Sequence, residues 1–85
     1  MKILAIEKEL PGIKDEDYTP HLKKEALKAW ELYKEGKIRE LYFTKEHYAI
    51  LILECNDEKE ARKILNSLPL VKNNLIDFEI ISNTL

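Results

Sequence analysis

The sequence predicts one small α+β domain in which strands and helices follow each other in the order β-α-β-β-α-β. Segments with apolar residues at every second position, typical of strands, stand at both ends of the chain and in its middle. Two segments with apolar residues at helical spacing separate them. The chain has 85 residues, which suffices for one hydrophobic core, so we expect a single domain over residues 1–85.

The first half of the chain predicts a strand followed by a helix. Residues 1–8 alternate with a period of two, and a Leu-Pro-Gly sequence then ends the strand. Thr19 and Pro20 form a helix start, because threonine is a good N-cap and proline is tolerated at the first helical position. Apolar residues recur at helical spacing after them, and Gly36 follows as a C-terminal cap. The first helix is therefore predicted over residues 20–35.

The second half of the chain predicts a hairpin, a helix and a last strand. Residues 38–43 and 48–55 have strand character, and the four polar residues between them predict an antiparallel hairpin. Asp57 starts the second helix, where its side chain can accept a backbone hydrogen bond in a capping-box arrangement. Pro69 limits this helix, Asn73 and Asn74 predict a turn, and residues 75–81 form the last strand.

This order of elements predicts a ferredoxin-like βαββαβ two-layer sandwich. In such a sandwich the helices cover one face of the sheet, so each strand should alternate between apolar and polar residues. The third strand is instead apolar on both faces, with Ile50 and Ile52 on one and Leu51 and Leu53 on the other. A second copy of the sheet would cover the extra face, which predicts a homodimer. The alternative is a single amphipathic sheet with a chance excess of apolar residues.

The composition excludes several classes of function. The 14 basic and 16 acidic residues give a net charge of −2, without the basic excess of a nucleic-acid-binding protein. The apolar run at the start is too short for a signal peptide or a membrane span, so we expect a cytoplasmic protein with no membrane contact. The single Cys55 and two distant histidines form no metal-ligand pattern, and no glycine-rich phosphate loop occurs. We therefore expect no metal and no cofactor.

Charged residues within the strands are the first candidates for a functional site. Glu7 and Glu54 share strand faces with apolar residues, and Arg39 alternates with Leu41 and Phe43. Between two packed sheets, such charges would line a polar pocket within an apolar cavity, where pKa values shift. In the alternative interpretation, the two glutamates lie in water at the ends of their strands.

The first helix contributes a second group of candidates. His21 and Glu25 are four residues apart, and an imidazole beside a carboxylate can act as a general base near neutral pH. The alternative is an ordinary pair on the surface of a helix. Trp30 lies to the side of the apolar stripe, where it can contact a ligand, the edge of the core or a second subunit.

Several short motifs resemble muconolactone isomerases. The segment from Gly36 to Tyr42, preceded by Glu31-Leu32, resembles the junction between the first helix and the second strand of that family. Leu68-Pro69-Leu70 after the second helix and Leu10-Pro11 after the first strand also fit. Together the motifs cover about residues 1–82.

The resemblance implies a dimeric α+β barrel, in which two ferredoxin-like sheets pack face to face, and a higher oligomer built from such dimers. It also implies an isomerase without a cofactor, which moves a proton on an unsaturated lactone bearing a carboxylate. Glu25 falls on an acidic position of the family's first helix, and Arg39 falls on the arginine of its Gly-Lys-x-Arg motif. His21 has no counterpart in the family.

Two functions from different classes remain open. The first is a cofactor-independent isomerase for a small carboxylated substrate, in which Arg39 binds the carboxylate and Glu25 or Glu7 moves the proton. His21 would assist the proton transfer. The second is a non-catalytic module that binds a small ligand or forms oligomers. A haem- or metal-dependent barrel enzyme is a third hypothesis. It is disfavoured because the chain has few residues that could ligate haem iron or a metal ion. The remaining ligand-binding candidates are Trp30, Tyr42 and Glu54.

Overall fold

Four strands and four helices make up residues 1–81, the part of the chain that this computed structural model describes. They are β1 Lys2–Glu9, α1 Asp15–Tyr18, α2 Leu22–Lys34, β2 Ile38–Phe43, β3 Ala49–Glu54, α3 Glu58–Asn66, α4 Pro69–Lys72 and β4 Ile76–Ile81. The strands form one sheet in the order β2-β3-β1-β4, with every neighbouring pair antiparallel. This confirms the predicted α+β class. None of the helices within residues 1–81 is long and apolar enough to cross a membrane.

The register of the strands divides the sheet into two faces. Ile3 and Ala5 of β1 lie opposite Leu53 and Leu51 of β3, and all four are buried with the helices. The residues between them point to the other face, because successive side chains along a strand alternate. That second face is left open by the helices. Its apolar centre, which we call the open-face patch, consists of Leu4, Ile6, Ile50 and Ile52.

The hydrophobic core lies between the first face of the sheet and the helices. Helix α3 contributes Ala61, Ile64 and Leu65, all of them buried, and they join Phe78 of β4 in one cluster. Asp57 caps this helix as predicted, since its carboxylate accepts the Glu60 N–H at 2.8 Å. Burying a leucine, isoleucine or phenylalanine side chain stabilises a fold by about 1.5–3 kcal/mol. The α3 side of the molecule is therefore well packed.

Two tight turns also form where the sequence predicts them. Gly36 follows α2 with φ +80°, and Asn74 precedes β4 with φ +59°. Both values lie in the left-handed region, which glycine adopts freely and asparagine more readily than most residues. Pro69 does not merely limit α3, because it also opens the short helix α4.

The start of the first long helix differs from the prediction. Thr19 and Pro20 lie in a 3₁₀ turn, Thr19–His21, that follows the short helix α1. Thr19 already has a helical backbone, with φ −49° and ψ −46°, whereas an N-cap residue is extended. The prediction of Thr19 as an N-cap is therefore wrong. A local signal for α1 is Asp17, whose carboxylate accepts the Lys14 N–H at 2.8 Å.

Candidate functional site

A cavity of about 1120 Å³ lies between α2 and the half of the sheet that contains β2 and β3. Its lining is mainly apolar, and core residues of α4 and β4 form its floor. Side chains of α2 line one wall and the hairpin of β2 and β3 lines the opposite wall. Residues that line the cavity include Glu7, Glu25, Ala26, Ala29, Trp30, Tyr33, Leu41 and Phe43.

The cavity forms because α2 packs loosely on the sheet. Only Leu32 of its 13 residues is buried. The cavity side of the helix carries the short side chains Ala26 and Ala29, and Ala29 is only partly buried against the core. Bulky residues stand at the mouth instead: Trp30 and Tyr33 stack with their ring centroids 5.7 Å apart and are both more than half exposed. The result is an apolar space open to solvent at one side.

Glu25 holds the inner wall of this cavity to α4. Its Oε1 accepts the Leu70 N–H at 2.9 Å, so that a free backbone donor at the start of α4 is satisfied. The side chain is half-buried, and this burial raises the pKa of Glu25. The Leu70 N–H lowers the pKa, and the nearby negative charge of Glu7 raises it further.

Glu7 lies across the cavity, near the end of β1. Its Oε1 accepts the Ala49 N–H at 2.8 Å, which ties β1 to the start of β3. Burial raises the pKa of Glu7, the Ala49 N–H opposes this shift, and the charge of Glu9 adds to it. A carboxylate has two oxygens, so each of these glutamates keeps acceptor capacity beyond its backbone hydrogen bond.

The structure therefore brings together three of the residues singled out in the sequence: Glu7, Glu25 and Trp30 all line the cavity. The charge of Glu7 is close enough to Glu25 to raise the pKa of Glu25. Raised pKa values allow a carboxyl group to exchange a proton closer to neutral pH. The arrangement can thus act as an acid–base pair inside an apolar space. His21 precedes α2 and does not line this cavity.

Arg39 lies elsewhere because β2 is irregular. The register between β2 and β3 shifts between Ile38 and Glu40, so Arg39 occupies a bulge and is exposed. In the single chain Arg39 therefore does not join the residues of the cavity, and its binding of a carboxylate stays a prediction. A bulge adds one residue to a strand and turns its side chain away from the regular alternation. Leu41 and Phe43 consequently face the cavity without Arg39.

Tyr42 and Glu54 also lie away from the cavity, on the open face of the sheet. The Tyr42 hydroxyl donates a hydrogen bond to the Glu40 carboxylate, which raises the pKa of Tyr42. The N-terminal amino group of Met1 lies 2.6 Å from Glu54 Oε2, and this contact lowers the pKa of Glu54. The predicted ligand-binding set is therefore divided between two faces.

Sequence reasoning missed two tyrosines of the cavity, Tyr18 and Tyr48. A hydrogen bond with the Glu9 carboxylate raises the pKa of Tyr48. Tyr18 belongs to α1, the helix that the sequence did not predict, and Tyr48 follows the hairpin turn. The position of both depends on how the loops fold over the sheet, so periodicity within a strand or helix does not indicate it.

Within residues 1–81, the cysteine is buried and the histidines belong to no metal-binding cluster. Cys55 is buried, and burial raises the pKa of its thiol, so the nucleophilic thiolate is disfavoured at neutral pH. In the same range, no three histidine, cysteine, aspartate or glutamate side chains stand close enough to hold a metal ion.

Comparison with known proteins leaves the family open. No family model matches the chain, and no curated protein matches it. The resemblance to muconolactone isomerases therefore stays a prediction, and the function has to be argued from the site.

Proposed function

We propose that this chain binds a small, largely apolar molecule in the cavity between α2 and the sheet and moves a proton on it. One observation carries the proposal: two partly buried carboxyl groups, Glu7 and Glu25, open into the same apolar cavity. This keeps the cofactor-independent isomerase predicted from the sequence. A carboxylated substrate lacks support, because Arg39 lies outside the cavity and is exposed.

The two glutamates suit an isomerisation by proton transfer. One of them, as the carboxylate, takes a proton from a carbon of the bound molecule, and the other, as the acid, gives a proton to a second atom. The ligand then has the same composition as before, and the two carboxyl groups have exchanged roles. An apolar lining supports the first step, because a carboxylate withdrawn from water is a stronger base.

The alternative is a binding module without catalysis. The backbone hydrogen bonds to Leu70 and Ala49 favour it, since they give Glu25 and Glu7 structural tasks that need no substrate. The cavity is the same in both cases. Binding and proton transfer are therefore tested separately.

Binding is tested with Nile red, a neutral dye whose fluorescence rises in an apolar environment. We expect saturable binding to the native protein and at least a tenfold weaker signal for Ala29→Trp, whose indole occupies the cavity. Leu27→Trp is the matched control, since Leu27 is exposed on α2 and does not line the cavity. Equal binding by both variants would place the dye elsewhere and remove the support for a ligand site here.

Proton transfer is tested with 5-nitrobenzisoxazole, a neutral compound whose ring opens when a base removes its proton. We expect the native protein to open the ring faster than the same concentration of acetate, and Glu7→Gln and Glu25→Gln to lose most of this rate. Glu31→Gln, at an exposed position of α2 outside the cavity, controls for net charge. Dye binding without any such rate would favour the binding module.

We also propose that the chain is ferredoxin-like and forms a dimeric α+β barrel, in which a second copy covers the open-face patch. The strand order β2-β3-β1-β4 and the two cross-strand pairs Leu4–Ile52 and Ile6–Ile50 support this. The patch is apolar, lies on the two central strands and has no helix over it. Ile52 is already buried in the single chain, and contact with a copy would remove the partly exposed Leu4, Ile6 and Ile50 from water.

Light scattering tests the dimer. We expect at least twice the mass of a 10.0 kDa chain at micromolar concentration, and the mass of one chain for Ile50→Asp. Leu27→Asp introduces the same charge at an exposed position of α2 and should keep the native mass. If the native protein has the mass of one chain, the proposed dimeric barrel is wrong.

A further inference from the structure

The charged residues that line the cavity all have the same sign. Five of the chain's 16 acidic residues line it, and none of the 14 basic residues does. This bias is local, because the whole chain is nearly neutral. The acidic residues are Glu7, Glu9, Asp15, Glu25 and Glu46.

No protein cation neutralises these five carboxylates within residues 1–81. The ion pairs of that range use other acids: Glu31, Glu35, Glu54 and Asp77. Glu7 and Glu25 accept backbone N–H groups instead, and Glu9 interacts with the hydroxyl of Tyr48. His47 is the one lining residue that can itself carry a positive charge. The cavity therefore carries an excess of negative charge beside apolar walls; Glu7 and Glu25 are partly buried there, and the other three carboxylates are exposed.

Aromatic rings surround the same space. Six of the seven aromatic residues of the chain line the cavity, and Tyr42 is the exception. The face of an aromatic ring attracts cations, most strongly for tryptophan. Lys34 already places its Nζ 5.9 Å from the centre of the Trp30 ring, at the mouth. The other rings are Tyr18, Tyr33, Phe43, Tyr48 and Phe78.

We infer that the ligand of this cavity is an organic cation, an amine or a quaternary ammonium group on an apolar body. The inference rests on the proposed function, because it names the class of molecule that the cavity binds. The apolar body displaces water from the walls, while the cation lies against ring faces and carboxylates. Among the lining residues an anion would face five carboxylates and no lysine or arginine, and Lys34 contacts Trp30 from outside this lining.

The test is a series of three naphthalenes that carry a cationic, a neutral or an anionic group on the same CH2 carbon, the first two having the same shape. They are 2-naphthylmethyl-trimethylammonium, its neutral carbon analogue 2-neopentylnaphthalene, and the anion 2-naphthylacetate. Each competes with Nile red on the native protein. We expect the cation to bind about tenfold more tightly than the neutral analogue, as one or two cation–ring contacts would give. The anion should bind least.

Variants then locate the preference. Glu7→Gln and Glu25→Gln should reduce the ratio between cation and neutral analogue severalfold, whereas Glu31→Gln should leave it unchanged. The ratio is measured within each variant, so a loss of folded protein does not imitate the effect. If either of the first two variants fails to fold, the exposed Glu9→Gln replaces it.

The outcomes separate this inference from the proposed function. Equal binding of cation and neutral analogue, or tightest binding of the anion, would overturn the inference and leave the ligand site intact. Dye binding without competition by any of the three compounds would also overturn it. If neither the dye nor any compound binds, the proposed function fails as well. A cation preference that Glu7→Gln or Glu25→Gln reduces supports both.

Discussion

The two long helices cover the same face of the sheet but pack on it very differently. Helix α3 buries three of its nine residues, whereas α2 buries one of thirteen. Helix α3 lies on a closed core, while α2 stands over a cavity of about 1120 Å³. One half of this small domain is therefore closely packed, whereas the other half leaves an apolar space open to solvent.

The difference follows from where the large side chains stand on each helix. Ile64 and Leu65 of α3 point into the core and fill it. On α2 the inner positions hold alanines such as Ala26 and Ala29, and the large Trp30 stands at the mouth of the cavity. A helix with small inner residues cannot close the distance to the strands by side-chain packing alone. The small residues of α2 therefore leave unfilled the space that the packing of the whole domain sets between this helix and the strands.

Replacing one leucine in each half of the domain should give the greatest difference in stability. Leu65→Ala should destabilise the protein by about 2–5 kcal/mol, because it leaves a hole in a closed core. Leu22→Ala, at a leucine of α2 that is 52% exposed, should change stability by no more than about 0.5 kcal/mol. Urea denaturation measures both. Similar losses for the two variants would show that the α2 half is as tightly packed as the α3 half.

A smaller effect concerns the starts of the helices. Asp57→Ala should cost about 1 kcal/mol, because the Glu60 N–H loses its side-chain acceptor at the start of α3. Thr19→Ala should cost about 0.5 kcal/mol or less, since Thr19 lies in the 3₁₀ turn and is not the N-cap of α2. Thermal unfolding of both variants checks this. An equal or larger loss for Thr19→Ala would contradict the observed start of α2.

The smallest effect is a change in how stability depends on pH. Burial raises the folded-state pKa of Glu25 above its ordinary value of 4.5. The stability that this shift contributes is complete below pH 4.5 and is lost as the pH rises through the folded-state pKa. Glutamine does not titrate, so Glu25→Gln should gain stability relative to the native protein as the pH rises from 4 to 7.

Melting temperatures of native protein, Glu25→Gln and the exposed Glu31→Gln over this pH range test the shift. The second variant removes the same charge from α2 outside the cavity and corrects for net charge. If the two variants follow the same pH profile, the cavity does not withdraw Glu25 from water.

Sequence patterns alone predict the four strands, helix α3 with its N-cap Asp57, and the turns at Gly36 and Asn74. These features depend on interactions between neighbours in the chain: alternation along a strand, a side chain bound to a nearby N–H, a backbone angle that glycine or asparagine tolerates. The sequence also singled out Glu7, Glu25 and Trp30, because a carboxylate or a bulky aromatic residue beside an apolar stripe is visible in the pattern.

Which of these residues line the same cavity depends on the tertiary structure. A one-residue bulge in β2 removes Arg39 from the face that Leu41 and Phe43 occupy, and no spacing rule reveals it. The helix α1 and the 3₁₀ turn after it bring Tyr18 to the cavity, which depends on how that segment packs over the sheet. The distance between α2 and the strands is set by packing across the whole domain. The cavity and its acidic lining follow from that distance, so local pattern cannot predict them.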